Sequence, residues 1–152
     1  MRRDTRIVAA AIAAIALVIA ASAVLCTWAI SEGASESWRL PFRIFCHGAA
    51  ERSLAVFGEA MPICARCFAI YAGLGLGVAA FALRPPTGER GARLFLLAAT
   101  LPIAIDGLTQ AVGLRASTNG LRLATGAAAA IAFAFWALAA VEHGREKAIP
   151  NS

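Results

Sequence analysis

Charge is scarce in this chain: 15% of the 152 residues are charged and 60% are hydrophobic, whereas an average soluble domain carries about 25% charged residues. Disorder is excluded, because a disordered chain needs high charge and few apolar residues. A mean hydropathy of +0.72 leaves too little polar surface to clothe a soluble domain of this length, so the composition specifies a membrane protein. Lysine is almost missing as well, Lys147 being the single exception among 14 basic residues. No basic stripe and no interleaved aromatic platform is present. The net charge of +5 therefore excludes a nucleic-acid partner and points to the lipid bilayer, since the arginines stand singly at the ends of apolar runs, where they anchor spans at the interface and set topology.

At about 20 residues per helical span, the length accommodates four transmembrane helices in one membrane domain. The expected fold class is all-α, a bundle with spans at 7–30, 62–83, 94–112 and 121–141 and one long loop at 31–61. The first run is preceded by Arg2, Arg3 and Arg6. Its rival reading is a signal peptide cleaved after Ala21-Ser22-Ala23, but the apolar region exceeds the usual length of about 7–15 residues, which favours a span. Pro62 is suited to the first position of helix two. Arg84-Pro85-Pro86 marks its end, because successive prolines cannot continue a helix. Gly73 and Gly77 have the four-residue spacing that lets a neighbouring helix approach closely. Helix three contains Pro102, Asp106 and Gln110; a tight turn at 113–120 follows, with Ser117, Thr118 and Asn119 available to cap helix four. A polar tail with Glu142, His143, Arg145, Glu146 and Lys147 ends the chain, and His143 is assigned no role.

Four spans return the chain to its starting side. The N-terminal segment, the 84–93 connector and the tail together carry eight basic residues. The other side has Arg39, Arg43, Arg52, Arg66, Arg115 and Arg122, offset by four glutamates. The positive-inside rule then places both termini in the cytoplasm of a prokaryotic inner membrane, with the long loop and the 113–120 turn facing outward.

The reactive side chains gather at that outward end. Cys46 is followed directly by His47, and Cys64-Ala65-Arg66-Cys67 forms a Cys-x-x-Cys pair. Three readings are open. Cys46, His47, Cys64 and Cys67 supply a full tetrahedral ligand set of the kind that suits zinc, although adjacent Cys46 and His47 project differently and reach one ion only from an irregular loop. Alternatively, Cys64 and Cys67 in the first turns of helix two, beside Arg66, favour the thiolate and hence redox chemistry. A structural disulfide is the third reading. Cys26, within an apolar run, reads as a packing residue.

Asp106 lies about 10 Å below the outer end of helix three, where a carboxylate needs a partner or takes up a proton. Gln110 stands one turn away, and Arg115, Arg122 or Arg66 can reach inward, with Arg115 and Arg122 expected closest. A pair that only fixes packing and a pair that binds substrate or handles protons are both compatible with this pattern.

Cys46-His47, Glu51-Arg52-Ser53, Phe57-Gly58, Pro62-Ile63-Cys64-Ala65-Arg66-Cys67, Asp106-Gly107-Leu108-Thr109-Gln110, Arg115-Ala116-Ser117-Thr118-Asn119 and Leu121-Arg122 occur in this order. Over about residues 45–126 the chain resembles the small prokaryotic membrane proteins of domain of unknown function 2085. The resemblance implies an integral membrane protein and marks the Cys–His group and the Asp106 cluster, with Arg52, Arg66, Arg115 and Arg122, as the candidate site. It implies no activity. Four-helix quinone-linked thiol oxidoreductases also carry an outward Cys-x-x-Cys, but here the long loop has one cysteine where such an enzyme needs a second pair. The leading expectation is a metal-supported binding or catalytic site with zinc, and a thiol oxidoreductase is the alternative.

Overall fold

The computed structural model describes residues 3–83 and 88–148, with side chains from 5 through 144. The expected stop at Arg84-Pro85-Pro86 and the side chains of Arg145, Glu146 and Lys147 lie outside the described residues. Four α-helices dominate: α1 (Arg3–Ser31), α2 (Ala65–Leu83), α3 (Glu89–Ala111) and α4 (Asn119–Ala148). All four are long and apolar enough to cross a membrane. Consequently the fold is the expected all-α membrane bundle, although several boundaries differ. α3 begins at Glu89 rather than near 94, and α4 continues through the expected polar tail to Ala148.

The segment between α1 and α2 is structured rather than a loop. α1 stops where Gly33 takes a φ of +98° and its N–H donates to the Ile30 carbonyl, a left-handed residue just past the helix end. Two 3-10 segments, Glu36–Ile44 and Ala50–Arg52, lead into a hairpin of β1 (Ser53–Val56) and β2 (Glu59–Cys64). Val56 pairs with Glu59, and both residues of the connecting turn, Phe57 and Gly58, have positive φ, as the strand twist requires of a two-residue turn. Farther along, Ser53 pairs with Cys64 while Ala55 pairs with Ala60, so β2 bulges at 61–63 opposite Leu54. That bulge accommodates Pro62, which has no N–H to give to a ladder. Pro62 therefore does not start helix two, and Cys64 ends a strand instead of entering a helical turn.

The helices pack in the order α1, α2, α4, α3. Close approach of α2 to α4 rests on Gly73 and Gly77, where an added Cβ would come within 3.0 Å of Ala130 and 2.8 Å of Ala134. Two apolar clusters mark opposite ends of the bundle. One joins Ala9 of α1, Phe81 of α2, Ala92 of α3 and Leu138 of α4, so the start of α1 and the end of α4 share one end. The other joins Ala23, Cys26 and Ile30 of α1 to Phe42, Cys46, Met61, Ile63 and Cys64, seating the hairpin on the opposite end. Met61 and Ile63 are fully buried there and hold β2 down.

Candidate functional site

Three thiols converge beneath the hairpin. Cys46 follows the first 3-10 segment, held by its N–H donating to the Phe42 carbonyl at 2.9 Å. Two residues on, Gly48 has a φ of +60°, and a Cβ there would stand 2.8 Å from the Pro62 carbonyl oxygen. The Cys46 loop can therefore lie against β2 only with glycine at this place. Cys64 closes β2, and its N–H donates to Cys46 Sγ at 3.3 Å. Cys67 comes from the first turn of α2. The three Sγ atoms lie within 4.8 Å of one another, so the group could hold a metal ion. The Cys64 thiol is drawn down to about 5, above all by a hydrogen bond from the Cys67 thiol. Burial opposes this, while the Cys46 thiol and backbone N–H groups of Cys67 and Arg66 reinforce it.

His47 is exposed and does not join the three thiols. Adjacent residues in an irregular loop point apart, and with Cys46 turned into the core, His47 is turned to the surface. Cys26 is buried in the neighbouring apolar cluster, where its thiol donates to the Trp38 carbonyl at 3.5 Å, and it stays out of the group. All four cysteines are free thiols.

A second constellation surrounds Asp106, five residues before the end of α3 and 2% exposed. Arg66 Nη2 donates to its Oδ2 and Arg115 Nη2 to its Oδ1. Ser117 Oγ and Gln110 Nε2 also donate to Oδ2, each at 3.0 Å. Arg122 does not touch the carboxylate. Its Nη2 donates to Gln110 Oε1 at 3.0 Å and its Nη1 to Asn119 Oδ1 at 2.9 Å. Asn119 in turn donates to the backbone carbonyl of Ser53 at 2.8 Å, the residue paired with Cys64. Beside Asp106 and Arg115 a cavity of about 370 Å³ opens between α3 and α4.

Two connections thus tie the constellations together. Arg66 lies within the Cys64–Cys67 segment and pairs with Asp106, and the chain Asp106–Gln110–Arg122–Asn119 ends on the strand opposite Cys64. Arg52 belongs to neither constellation: it is exposed, and its side chain meets Glu51 at 3.9 Å. His143 lies in α4 at the far end, its ring against the Ala139 carbonyl. Sequence reasoning missed Ser117 as a ligand of Asp106, having assigned it to capping, and Asn119 as a tie to the hairpin. It also missed Arg39, which clasps the hairpin through the Ala60 carbonyl and Glu59. The polar run 115–119 between two spans was the available signal for the first two.

Four apolar helices and a capping hairpin, with thiols and a buried Asp–Arg network gathered beneath it, define a polytopic membrane protein with one polar, chemically equipped end. The family described as Predicted membrane protein (DUF2085) matches residues 46–136, and the chain belongs to that family. An uncharacterised protein of Methanocaldococcus jannaschii is 37% identical over 99 residues, 64% of this chain and 64% of the relative's own length. A second uncharacterised protein, from Methanothermobacter thermautotrophicus, is 38% identical over 93 residues, 61% of this chain and 84% of the relative. No solved structure matches the chain.

Proposed function

We propose that Cys46, Cys64 and Cys67 hold a zinc ion on the outward side of a prokaryotic inner membrane, with both termini cytoplasmic, and that this ion and the Asp106 network form one binding or catalytic site. The observation that carries the reading is the convergence of three thiols within 4.8 Å. Thiolates bound tetrahedrally at a Zn–S distance of about 2.3 Å stand about 3.8 Å apart, so small adjustments suffice. A disulfide would use two of the thiols and leave the third without a partner in the group. Three protein ligands leave one position for water, a substrate or the neighbouring His47, and an open position distinguishes catalytic from closed structural zinc sites. Zinc would supply Lewis acidity there. Around it, Arg66 fixes the Cys-x-x-Cys segment to Asp106, and the Gln110–Arg122–Asn119 chain fixes the hairpin. The low value at Cys64 readies one of the three ligands, because metal ligation requires thiolate, and the Cys67 proton that lowers it would be released on binding.

That low value also favours the alternative, a thiol–disulfide oxidoreductase acting through Cys64 and Cys67. Access argues against Cys64, the lowered thiol, as the attacking group: it is 7% exposed while Cys67 is half-buried, and an attacking thiolate must meet its partner. Elemental analysis of the protein purified in detergent, with a thiol count, separates the two. One zinc per chain with no disulfide is expected, and Cys46→Ser, Cys64→Ser or Cys67→Ser should each abolish it. A metal-free protein in which a mixed disulfide can be trapped at Cys64 or Cys67 would establish the oxidoreductase instead.

A further inference from the structure

The first 3-10 segment, Glu36–Ile44, presents two unlike faces. At about three residues per turn, Glu36, Arg39 and Phe42 form one stripe and Trp38, Pro41 and Ile44 another. The first stripe meets the protein: Arg39 clasps Glu59 and the Ala60 carbonyl of β2, and Phe42 is buried against α1 and the hairpin. The second is exposed, Trp38 at 57% and Ile44 at 83%, with Phe45 beside it at 49%. A run of large apolar side chains of this kind marks an interaction surface.

Its depth says what covers it. α1 carries no charge over the 24 residues from Ile7 to Ile30, about 36 Å of helix against about 30 Å of hydrocarbon, which puts Cys26 inside the hydrocarbon core. Past the end of α1 the chain folds back along it. The Cys26 thiol donates to the Trp38 carbonyl at 3.5 Å, and Phe42 packs with Ala23 and Cys26. Between the segment and α1 runs a groove of about 620 Å³, walled by Ser22, Leu25 and Cys26 on one side and Trp38, Phe42 and Phe45 on the other. Ser22 stands about 13 Å along the helix from Ser31, the last residue of α1. The groove is thus continuous with the lipid-facing surface of α1, where Leu25 is 61% exposed.

We infer that this segment is an interfacial anchor, lying in the leaflet at the hairpin end with Trp38, Pro41 and Ile44 against lipid, and that a phospholipid acyl chain fills the groove behind Trp38. Amphipathic segments lie in the interface with one face sunk among the acyl chains, and tryptophan gathers there because its ring is apolar with one polar edge. Arg39 is paired with Glu36 and Glu59 on the other stripe, so the stripe turned to lipid is uncharged. The exposed Arg43 can reach the headgroups along its apolar stem. Depth and continuity with α1 select an acyl chain over a protein partner. The inference uses neither a metal nor the direction of the helices, so it stands apart from the proposed zinc site.

Fluorescence quenching on the full chain in phosphatidylcholine vesicles tests it. Trp28→Phe combined with Trp136→Phe leaves Trp38 as the one tryptophan, and the quenchers are phosphatidylcholine brominated at mid-chain and aqueous iodide. Trp38 is expected to lose most of its emission to the brominated lipid, and iodide should quench it several-fold less than it quenches a free tryptophan amide. Ile44→Glu, at an exposed position, should weaken quenching by the lipid and strengthen quenching by iodide, whereas Ile44→Leu should change neither; a melting curve reports that each variant is folded. Iodide quenching equal to that of the free amide would put the segment in water and overturn the proposal. Protection from both quenchers would mean that a second copy or another protein covers the stripe, and overturns it as well. Quenching that Ile44→Glu leaves unchanged in the folded protein also contradicts it.

Discussion

Asp106 binds two arginines of unequal exposure, the Arg66 side chain at 25% and that of Arg115 at 47%, and the difference predicts how the network fails. Asp106→Asn removes the counter-charge from both. Arg115 can turn to water, but Arg66 is held by the first turn of α2 and is stranded, so the loss should be about 3–5 kcal/mol. Combining Asp106→Asn with Arg66→Gln should recover much of it, and combining it with Arg115→Gln should recover little. Thermal unfolding of the three proteins in detergent measures both differences; equal recovery from either arginine would contradict the account. A carboxylate inside an apolar run announces its need for partners, and to that extent the site was legible in the sequence. Which arginines serve it was not. The expectation ranked Arg122 with Arg115 and ahead of Arg66, whereas Arg122 is held by Gln110 and Asn119 instead. The choice depends on how closely α2 lies against α4, which at this end is set by Gly126, where a Cβ would meet the Arg66 carbonyl oxygen at 2.9 Å.

Among the elements, the hairpin is where sequence and structure part. Pro62 ahead of an apolar run satisfies the rule for a helix start, and the same residue satisfies the rule for a strand bulge. Tertiary packing decides, because Met61 and Ile63 bury their side chains against α1 and extend the chain through Pro62. Cys64 thereby arrives from a strand and Cys67 from a helix, a convergence that spacing alone does not encode. Gly48 is the hinge of this arrangement. Gly48→Ala meets the Pro62 carbonyl oxygen and must also hold a positive φ, which should destabilise the hairpin end by about 1–3 kcal/mol. It should also lower metal retention by moving Cys46, read as faster loss of zinc to a chelator than in the unsubstituted protein. Unchanged retention would show that Cys46 is placed by something other than this contact. The four apolar spans, by contrast, were legible throughout, because length and hydropathy alone demand them.

For the whole molecule, the alternating direction of four helices puts the hairpin, the thiols and the Asp106 network at one end and the start of α1 and the end of α4 at the other. The proposed orientation, with eight basic residues on the terminal side and the positive-inside rule applied, has the hairpin facing outward. A phosphatase fusion within 35–37 should therefore be active and one at Ser152 inactive; the reverse pattern would place the site in the cytoplasm. The account depends most on the three thiols acting as one ligand set. X-ray absorption at the zinc edge of the purified protein tests that directly. It should show three sulfur neighbours at about 2.3 Å and one nitrogen or oxygen at about 2.0–2.2 Å. A shell of nitrogen and oxygen only, or a protein that binds no zinc with all three thiols reduced, would contradict it.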